Sequence, residues 1–212
     1  MKLPAGRVAV KICGITTQAD AIAAVEAGAD ILGFNTWTGT RRFIDLEKNA
    51  AWITELPIIR VALLINATAE FAARVAALPY IDALQLHGDE DAAECARIAA
   101  LGKPIIKALR AQDPAVASGA AGFSTRHLLL DAHVPGAYGG TGARVDLELA
   151  RRFREENPSL TVWLAGGLKP ENVAEAARSV QPAVVDVSSG VESEPARKDP
   201  AKMRVFVQAA RL

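Results

Sequence analysis

The 212-residue sequence lacks a charge imbalance, since 24 Lys and Arg residues offset 24 Asp and Glu residues and the formal net charge is +0. A chain without excess positive charge is not expected to bind nucleic acid or anionic membrane surfaces broadly, so any anionic ligand must be held by local geometry. No apolar stretch is long enough to span a bilayer, and the N-terminal segment lacks a secretory-signal pattern. These absences predict a cytoplasmic protein with neither a nucleic-acid nor a membrane partner.

Cysteine is also scarce, and the spacing of Cys13 and Cys95 suggests neither a zinc site nor a disulfide framework. Cys95 lies in an Ala-rich helical pattern, where a thiol is typically a small buried hydrophobe. Cys13 instead closes an apolar strand and shares a strand face with Lys11, whose charge would favour the thiolate and lower the thiol pKa. We therefore consider Cys13 a candidate reactive residue, with simple burial as the alternative.

What the sequence does contain is a regular alternation of short apolar runs with Ala-rich amphipathic segments, about every 25 residues. The runs predict strands at 8–13, 31–35, 60–66, 83–87, 104–109, 127–131, 161–165 and 184–188. The segments between them predict helices at 17–28, 45–56, 68–78, 89–101, 146–156, 170–179 and 198–211, with a short or irregular one near 111–121. Eight such units in one domain, residues 1–212, predict an α/β fold of the (β/α)8 TIM-barrel type. An open doubly wound sheet is the weaker alternative, because no Gly-x-Gly-x-x-Gly follows the first strand.

Several residues fit helix ends. Asp45, Thr68 and Asp89 suit N-cap positions, where a side-chain oxygen accepts a free backbone N–H. Gly28 and Gly102 suit the left-handed position after a helix.

Polar residues interrupt three of the apolar strands at two-residue spacing. Because side chains alternate along a strand, Lys11, Gln85 and Asp186 are predicted to point into the barrel. Cys13, His87 and Ser188 would then lie one layer higher, toward the mouth. Lys11 and Asp186 belong to the first and last strands, which are neighbours in a closed barrel. Since a buried charge needs a partner, we expect these two residues to form an ion pair beneath the site.

Small residues follow the last two strands and predict a phosphate site. Gly166-Gly167 and Ser188-Ser189-Gly190 provide turns rich in accessible amides, and barrels often bind phosphate at these two loops. Either segment alone could be an ordinary tight turn, but two together favour the phosphate site.

Three further candidates lie at or after strand ends. Asp131 ends the sixth strand before the glycine-rich stretch 136–142, which favours an acid facing a ligand over a simple cap. His87 could carry a proton, bind a ligand or play a structural part, and a lining role is favoured. One of Arg41 and Arg42, after the second strand, could hold a carboxylate bidentately, leaving the other in solvent.

Taken together, the motifs resemble the N-(5'-phosphoribosyl)anthranilate isomerase family of tryptophan biosynthesis, over nearly the whole chain. The resemblance is carried by Lys11-Ile12-Cys13-Gly14-Ile15-Thr16, Gln85-Leu86-His87-Gly88, Leu130-Asp131 with Gly139-Gly140-Thr141-Gly142, Ala165-Gly166-Gly167-Leu168-Lys169-Pro170-Glu171-Asn172-Val173 and Asp186-Val187-Ser188-Ser189-Gly190-Val191-Glu192. It implies that Cys13 is the general base, that Asp131 is the general acid and that Arg42 holds the anthranilate carboxylate. Gln85, His87, Gly140 and Asp186 are expected to contact the substrate, and Gly166, Gly167, Ser188, Ser189 and Gly190 to hold its phosphate.

The implied reaction is an Amadori rearrangement of an aminoaldose to an aminoketose, without a metal or organic cofactor. The partner would be a phosphorylated small molecule, and the protein a monomer or homodimer. The alternatives are a related phosphosugar isomerase, whose typical pair of aspartates does not match Cys13, and a catalytically silent phosphate-binding barrel.

Overall fold

Eight parallel strands close into a barrel in the computed structural model, which describes residues 1–110, 122–132 and 145–212. The strands are β1 (Ala9–Cys13), β2 (Ile31–Asn35), β3 (Ile59–Leu64), β4 (Ala83–Leu86), β5 (Ile105–Arg110), β6 (His127–Asp131), β7 (Thr161–Leu164) and β8 (Val184–Val187). Each pairs with its neighbour in sequence, and β8 pairs with β1. The predicted (β/α)8 TIM barrel is confirmed.

Helices follow the strands around the outside. The described helices are α1 (Gln18–Glu26), α2 (Ala50–Thr54), α3 (Ala69–Ala76), α4 (Ala92–Ala99), α5 (Leu147–Glu156), α6 (Val173–Val180) and α7 (Pro200–Ala210). After β8 come a 3-10 turn (Ser189–Val191) and a small antiparallel hairpin of β9 (Glu192–Glu194) and β10 (Arg197–Lys198). Within the described ranges, no helix has both the length and the apolar character needed to cross a membrane.

The predicted strands agree well with the observed ones. β2 and β6 match residue for residue, and the others differ by one or two residues at one or both ends. Helices are less well placed, since the segment predicted over 45–56 is helical only over Ala50–Thr54. The irregular helix predicted near 111–121 lies outside the described residues.

Cap chemistry explains part of this difference. Thr68 accepts the N–H of Phe71 and caps α3 as predicted. Asp89 does not cap α4, because Asp91 accepts the N–H of Glu94 and the N-cap lies two residues later than expected. Asp45 does not cap α2 either: its carboxylate accepts the N–H of Lys48 and forms a turn ahead of the helix.

The glycines expected to end helices behave as predicted. Gly28 and Gly102 both have φ of +90°, a conformation that costs a residue with a Cβ more than it costs glycine.

Two apolar layers flank the strands. The outer layer lies between strands and helices and includes Ile12, Leu84 and Val185, all fully buried. The inner layer fills the barrel with Ile31, Leu129 and Trp163 among others. Strand alternation therefore leaves the upper interior positions for polar groups, which form the candidate site.

Candidate active site

A buried ion pair forms the floor of the site. Lys11 and Asp186 are register partners on β1 and β8, and the Lys11 Nζ donates to Asp186 Oδ2 at 2.7 Å. The Lys11 side chain is fully buried and that of Asp186 is 6% exposed. Burial alone would lower the pKa of Lys11, but attraction to Asp186 and Cys13 outweighs it and the pKa is raised. The predicted pair is confirmed, and Lys11 is a fixed positive charge.

Cys13 ends β1 directly above this pair. It faces Gly33 of β2, where a Cβ would lie 2.8 Å from the Cys13 Sγ and 3.0 Å from the Lys11 Nζ. Only a glycine leaves room for the thiol and the ammonium side by side. Gly33 was not predicted as a site residue, although a glycine inside the apolar strand Leu32-Gly33-Phe34 is itself a sign of close approach by another group.

The electrostatics of Cys13 differ from expectation. Its pKa was predicted to be lowered by Lys11, but desolvation dominates and raises the thiol pKa above its usual value. Lys11 and Lys198 lower it, while Asp186 raises it, so the two cations only partly offset burial. The prediction was wrong because the position of a residue on a strand end does not reveal how much water its side chain loses.

Asp131, at the end of β6, is held by a chain of hydrogen bonds. Its Oδ2 lies 3.0 Å from the His87 Nε2, and the His87 Nδ1 lies 2.7 Å from the Gln85 Nε2. The backbone N–H of Ala132 donates to the second carboxyl oxygen at 2.8 Å. Three residues that the sequence suggested separately therefore form one unit, and His87 contacts the candidate acid itself.

These distances fit two arrangements of protons. In one, the Gln85 amide donates to His87 Nδ1, and the Nε2–H of a neutral imidazole donates to an ionised Asp131. In the other, the amide is reversed so that its oxygen accepts from Nδ1–H, and a protonated Asp131 donates to Nε2. Gln85 is fully buried and its Oε1 has no partner among the described residues. The unit can therefore hold Asp131 in either protonation state.

Arg42 does not stand free at the mouth. Its Nε and Nη2 donate to the two carboxylate oxygens of Glu192, each at 2.8 Å. The Arg42 side chain also packs against Gly14, where an added Cβ would lie 2.6 Å from the Arg42 Cδ. Lys198 also donates to Glu192, at 2.8 Å, and to the Ser188 carbonyl, at 3.1 Å. Arg41 is exposed, as expected. Lys198 was not predicted as a site residue, and no role was predicted for Glu192, although Glu192 is the last residue of the final motif.

The two candidate phosphate loops touch each other. A Cβ at Gly190 would lie 2.0 Å from the Leu168 carbonyl oxygen, so only glycine allows the loop after β8 to approach the loop after β7 this closely. Gly166 and Gly167 have φ of +90° and +64°, and a Cβ on Gly166 would meet the Ala132 backbone N at 2.5 Å. The glycines therefore bring the ends of β6, β7 and β8 together.

Several donors at this junction lack an acceptor among the described residues. They include the backbone N–H groups of Gly167, Ser189 and Gly190. The Ser188 hydroxyl is buried and also lacks a partner there. Neighbouring backbone amides without acceptors suit an anion. Gly140, the remaining predicted site residue, lies outside the described residues.

A second buried ion pair was not anticipated. The Lys107 Nζ on β5 donates to Glu90 Oε2 at 2.7 Å and to the Gly88 carbonyl at 2.8 Å, and Glu90 also accepts the Asn66 N–H. This pair ties together the loops after β3 and β4 and so supports the backbone next to His87. The sequence did offer a signal for this pair, because Lys107 is a charged residue within the otherwise apolar run Ile105-Ile106-Lys107.

The sequence predicts no metal site, and a metal site would need several ligand side chains close together. In the part of the chain that the structure describes, no group of three or more His, Cys, Asp or Glu side chains is arranged to hold a metal ion.

Comparison with known proteins gives this geometry a context. The family profile described as N-(5'phosphoribosyl)anthranilate (PRA) isomerase matches residues 10–209. The chain belongs to this isomerase family. A relative in Magnetococcus marinus, named N-(5'-phosphoribosyl)anthranilate isomerase, is 46% identical over 206 residues, covering 96% of this chain and 95% of the relative. One of the same name in Geobacter metallireducens is 44% identical, covering 96% and 99%.

Solved structures of the isomerase family agree. The Thermotoga maritima phosphoribosyl anthranilate isomerase has a TM-score of 0.85 and 36% identity, covering 96% of this chain and 98% of that one. Another such isomerase, in complex with reduced 1-(o-carboxyphenylamino)-1-deoxyribulose 5-phosphate, has a TM-score of 0.82 at 36% identity with the same coverage. The resemblance inferred from the motifs and the expectation of an isomerase of tryptophan biosynthesis are confirmed.

Proposed function

We propose that this barrel converts N-(5-phospho-β-D-ribosyl)anthranilate to 1-(2-carboxyphenylamino)-1-deoxyribulose 5-phosphate, with Cys13 as general base and Asp131 as general acid. The observation that carries the assignment is the mouth itself. Cys13, near Lys11 and Lys198, and Asp131, hydrogen-bonded to His87, both end strands at this mouth. In the loops after β7 and β8, the N–H groups of Gly167, Ser189 and Gly190 have no acceptor among the described residues.

The reaction needs one proton given and one taken. Asp131, protonated, donates to the ribose ring oxygen; the ring C–O bond breaks and a protonated Schiff base forms. The Cys13 thiolate then removes the C2' proton, and the electron pair of that C–H bond neutralises the iminium to give an enolamine. Tautomerisation yields the ketone. Gln85 and His87 hold the Asp131 carboxyl group in place through both protonation states.

Binding fixes the reacting carbon between the acid and the base. The amides of Gly167, Ser189 and Gly190, with those of Gly166 and Ser188 nearby, would hold the phosphate at one side of the mouth. Arg42 would hold the carboxylate at the other, and Asp186 would face the ribose from the floor. Fixing a substrate at both ends can contribute on the order of 7–11 kcal/mol to catalysis in the best cases.

A raised thiol pKa has a consequence for the base. Fewer molecules carry the thiolate at neutral pH, but the thiolate that forms is a stronger base toward carbon. Lys11 and Lys198 favour the thiolate, so burial and charge act in opposite senses on Cys13.

The decisive experiment follows the loss of substrate fluorescence on turnover. Cys13→Ala and Asp131→Asn should each lower kcat at least about 100-fold while product affinity is kept, because each removes one proton-transfer group. Cys95→Ala is the matched control, since that thiol is buried in the apolar layer at α4 and donates a hydrogen bond to the Glu90 carbonyl, at 3.9 Å. Unchanged turnover in either site variant would reject that assignment.

A catalytically silent barrel would show no turnover in the wild type either, and the same assay tests that alternative. The cytoplasmic location, the single domain over residues 1–212, the absence of a cofactor and the choice between monomer and homodimer stay predictions.

A further inference from the structure

The carboxylate of Glu192 lies between two cations beside the mouth. The Glu192 side chain is 5% exposed; both of its carboxylate oxygens accept hydrogen bonds from Arg42, and Oε1 also accepts one from Lys198. Such a buried anion needs a reason, because taking a charge out of water is costly unless it is fully paired. Two cations on one anion leave this triad with one uncompensated positive charge.

The geometry of the Arg42 contact decides where that charge is directed. A guanidinium has five N–H bonds, one on Nε and two on each terminal nitrogen. Glu192 uses the Nε–H and one Nη2–H, the side-on pair. The remaining Nη2–H and an Nη1–H form the end-on pair, and within the described residues the Arg42 Nη1 makes no hydrogen bond.

The triad is anchored on both flanks. The Lys202 Nζ donates to the Glu192 carbonyl at 2.7 Å, and the Thr16 hydroxyl donates to the Ala196 carbonyl at 3.0 Å, tying the β9–β10 hairpin to α7 and to the loop after β1. The hairpin therefore holds Glu192 as a rigid support rather than as a mobile surface acid.

From this geometry we infer that Glu192 is a positioning residue. It clamps the Arg42 guanidinium side-on so that its end-on N–H pair faces the substrate carboxylate, and Lys198 offsets the Glu192 charge so that the clamp does not neutralise Arg42. The inference rests on the proposed role of Arg42 as carboxylate anchor. The opposite arrangement, in which Glu192 competes with the substrate for Arg42, predicts the opposite effect on KM.

The test compares Glu192→Gln with Glu194→Gln, an exposed acid on the same hairpin. The first variant should raise KM about tenfold, the worth of one charge-assisted hydrogen bond, with a smaller change in kcat. The control should leave both unchanged. A lower KM in Glu192→Gln would show competition and overturn the inference. An unchanged KM would also overturn it.

Two further measurements separate positioning from general damage. With N-(5-phosphoribosyl)aniline, which lacks the carboxylate, KM should be the same in the wild type and in Glu192→Gln. An equal rise in KM on both substrates would mean a merely structural role and would refute the inference. In an Arg42→Ala background, Glu192→Gln should have no further effect on KM.

The single and double variants at Arg42 and Glu192 also distinguish the carboxylate anchor from the positioning role. If Arg42→Ala itself leaves KM unchanged, the proposed carboxylate anchor fails. If Arg42→Ala raises KM and Glu192→Gln does not, the anchor stands and the positioning role fails.

Discussion

Replacing Lys11 by methionine should destabilise the fold strongly, because it removes one partner of an ion pair that has almost no access to water. The Lys11 ammonium and the Asp186 carboxylate are 2.7 Å apart, with side-chain exposures of 0% and 6%. Methionine fills much of the lysine volume, so the main effect is an unpaired buried carboxylate. Breaking a buried pair in this way costs about 3–5 kcal/mol.

That free energy can be converted into a shift in Tm. For a chain of this size, 1 kcal/mol corresponds to about 2–4 °C, so Lys11→Met should lower Tm by about 6–20 °C. Urea unfolding followed by circular dichroism should show a lower midpoint at an unchanged slope, which identifies a change in stability rather than in compactness.

The double variant Lys11→Met/Asp186→Leu provides the control. With both charges gone, stability should return to within about 1 kcal/mol of the wild type or exceed it, since apolar groups of similar volume often replace buried pairs without loss. The pKa of Lys11 is raised, so its stabilising contribution is complete at neutral pH and is lost only as pH rises through that raised value. A cost below about 1 kcal/mol for Lys11→Met would refute this account of the barrel floor.

Three further outcomes test the mouth of the barrel. Gly33→Ala should lower kcat clearly while Tm changes little, because the added Cβ would lie 2.8 Å from the Cys13 Sγ and displace the base. A wild-type kcat in this variant would show that the thiol can shift without loss of activity. Because burial raises the thiol pKa, the ultraviolet absorbance of the Cys13 thiolate, taken as the difference between the wild type and Cys13→Ala, should develop mainly above the ordinary thiol value of 9.0; a thiolate signal complete well below that pH would contradict the direction of the shift. Arg42→Ala should raise KM at least tenfold while Arg41→Ala stays near wild type, as steady-state kinetics on both will show; a severe Arg41→Ala would move the carboxylate anchor by one residue.

The sequence predicts the strand frame well because its signal is local. Alternation along two short apolar runs placed Lys11 and Asp186 inside the barrel, and closure of the barrel made them partners. Helix starts are less predictable, since Asp89 and Asp91 are both good caps and only the contacts of the folded loop choose between them.

The electrostatics of the site are the part that the sequence could not supply. Glu192 meets Arg42 from 150 residues away, and no periodic pattern connects a loop after β2 with a hairpin after β8. The direction of the Cys13 pKa shift depends on the balance of desolvation against two lysines, one of which lies on that same hairpin. Both depend on distances that appear only once the barrel closes.

Charge balance links the anchor to the base. The Lys11–Asp186 pair is neutral, whereas Arg42, Glu192 and Lys198 together carry one positive charge that favours the Cys13 thiolate in the free enzyme. A substrate carboxylate bound end-on to Arg42 takes up that charge. The thiolate then stands in a less positive and drier surrounding, where it is a stronger base, at the moment when the C2' proton must be removed. We therefore expect the carboxylate to contribute to kcat as well as to binding, and a substrate without it to react more slowly even at saturation.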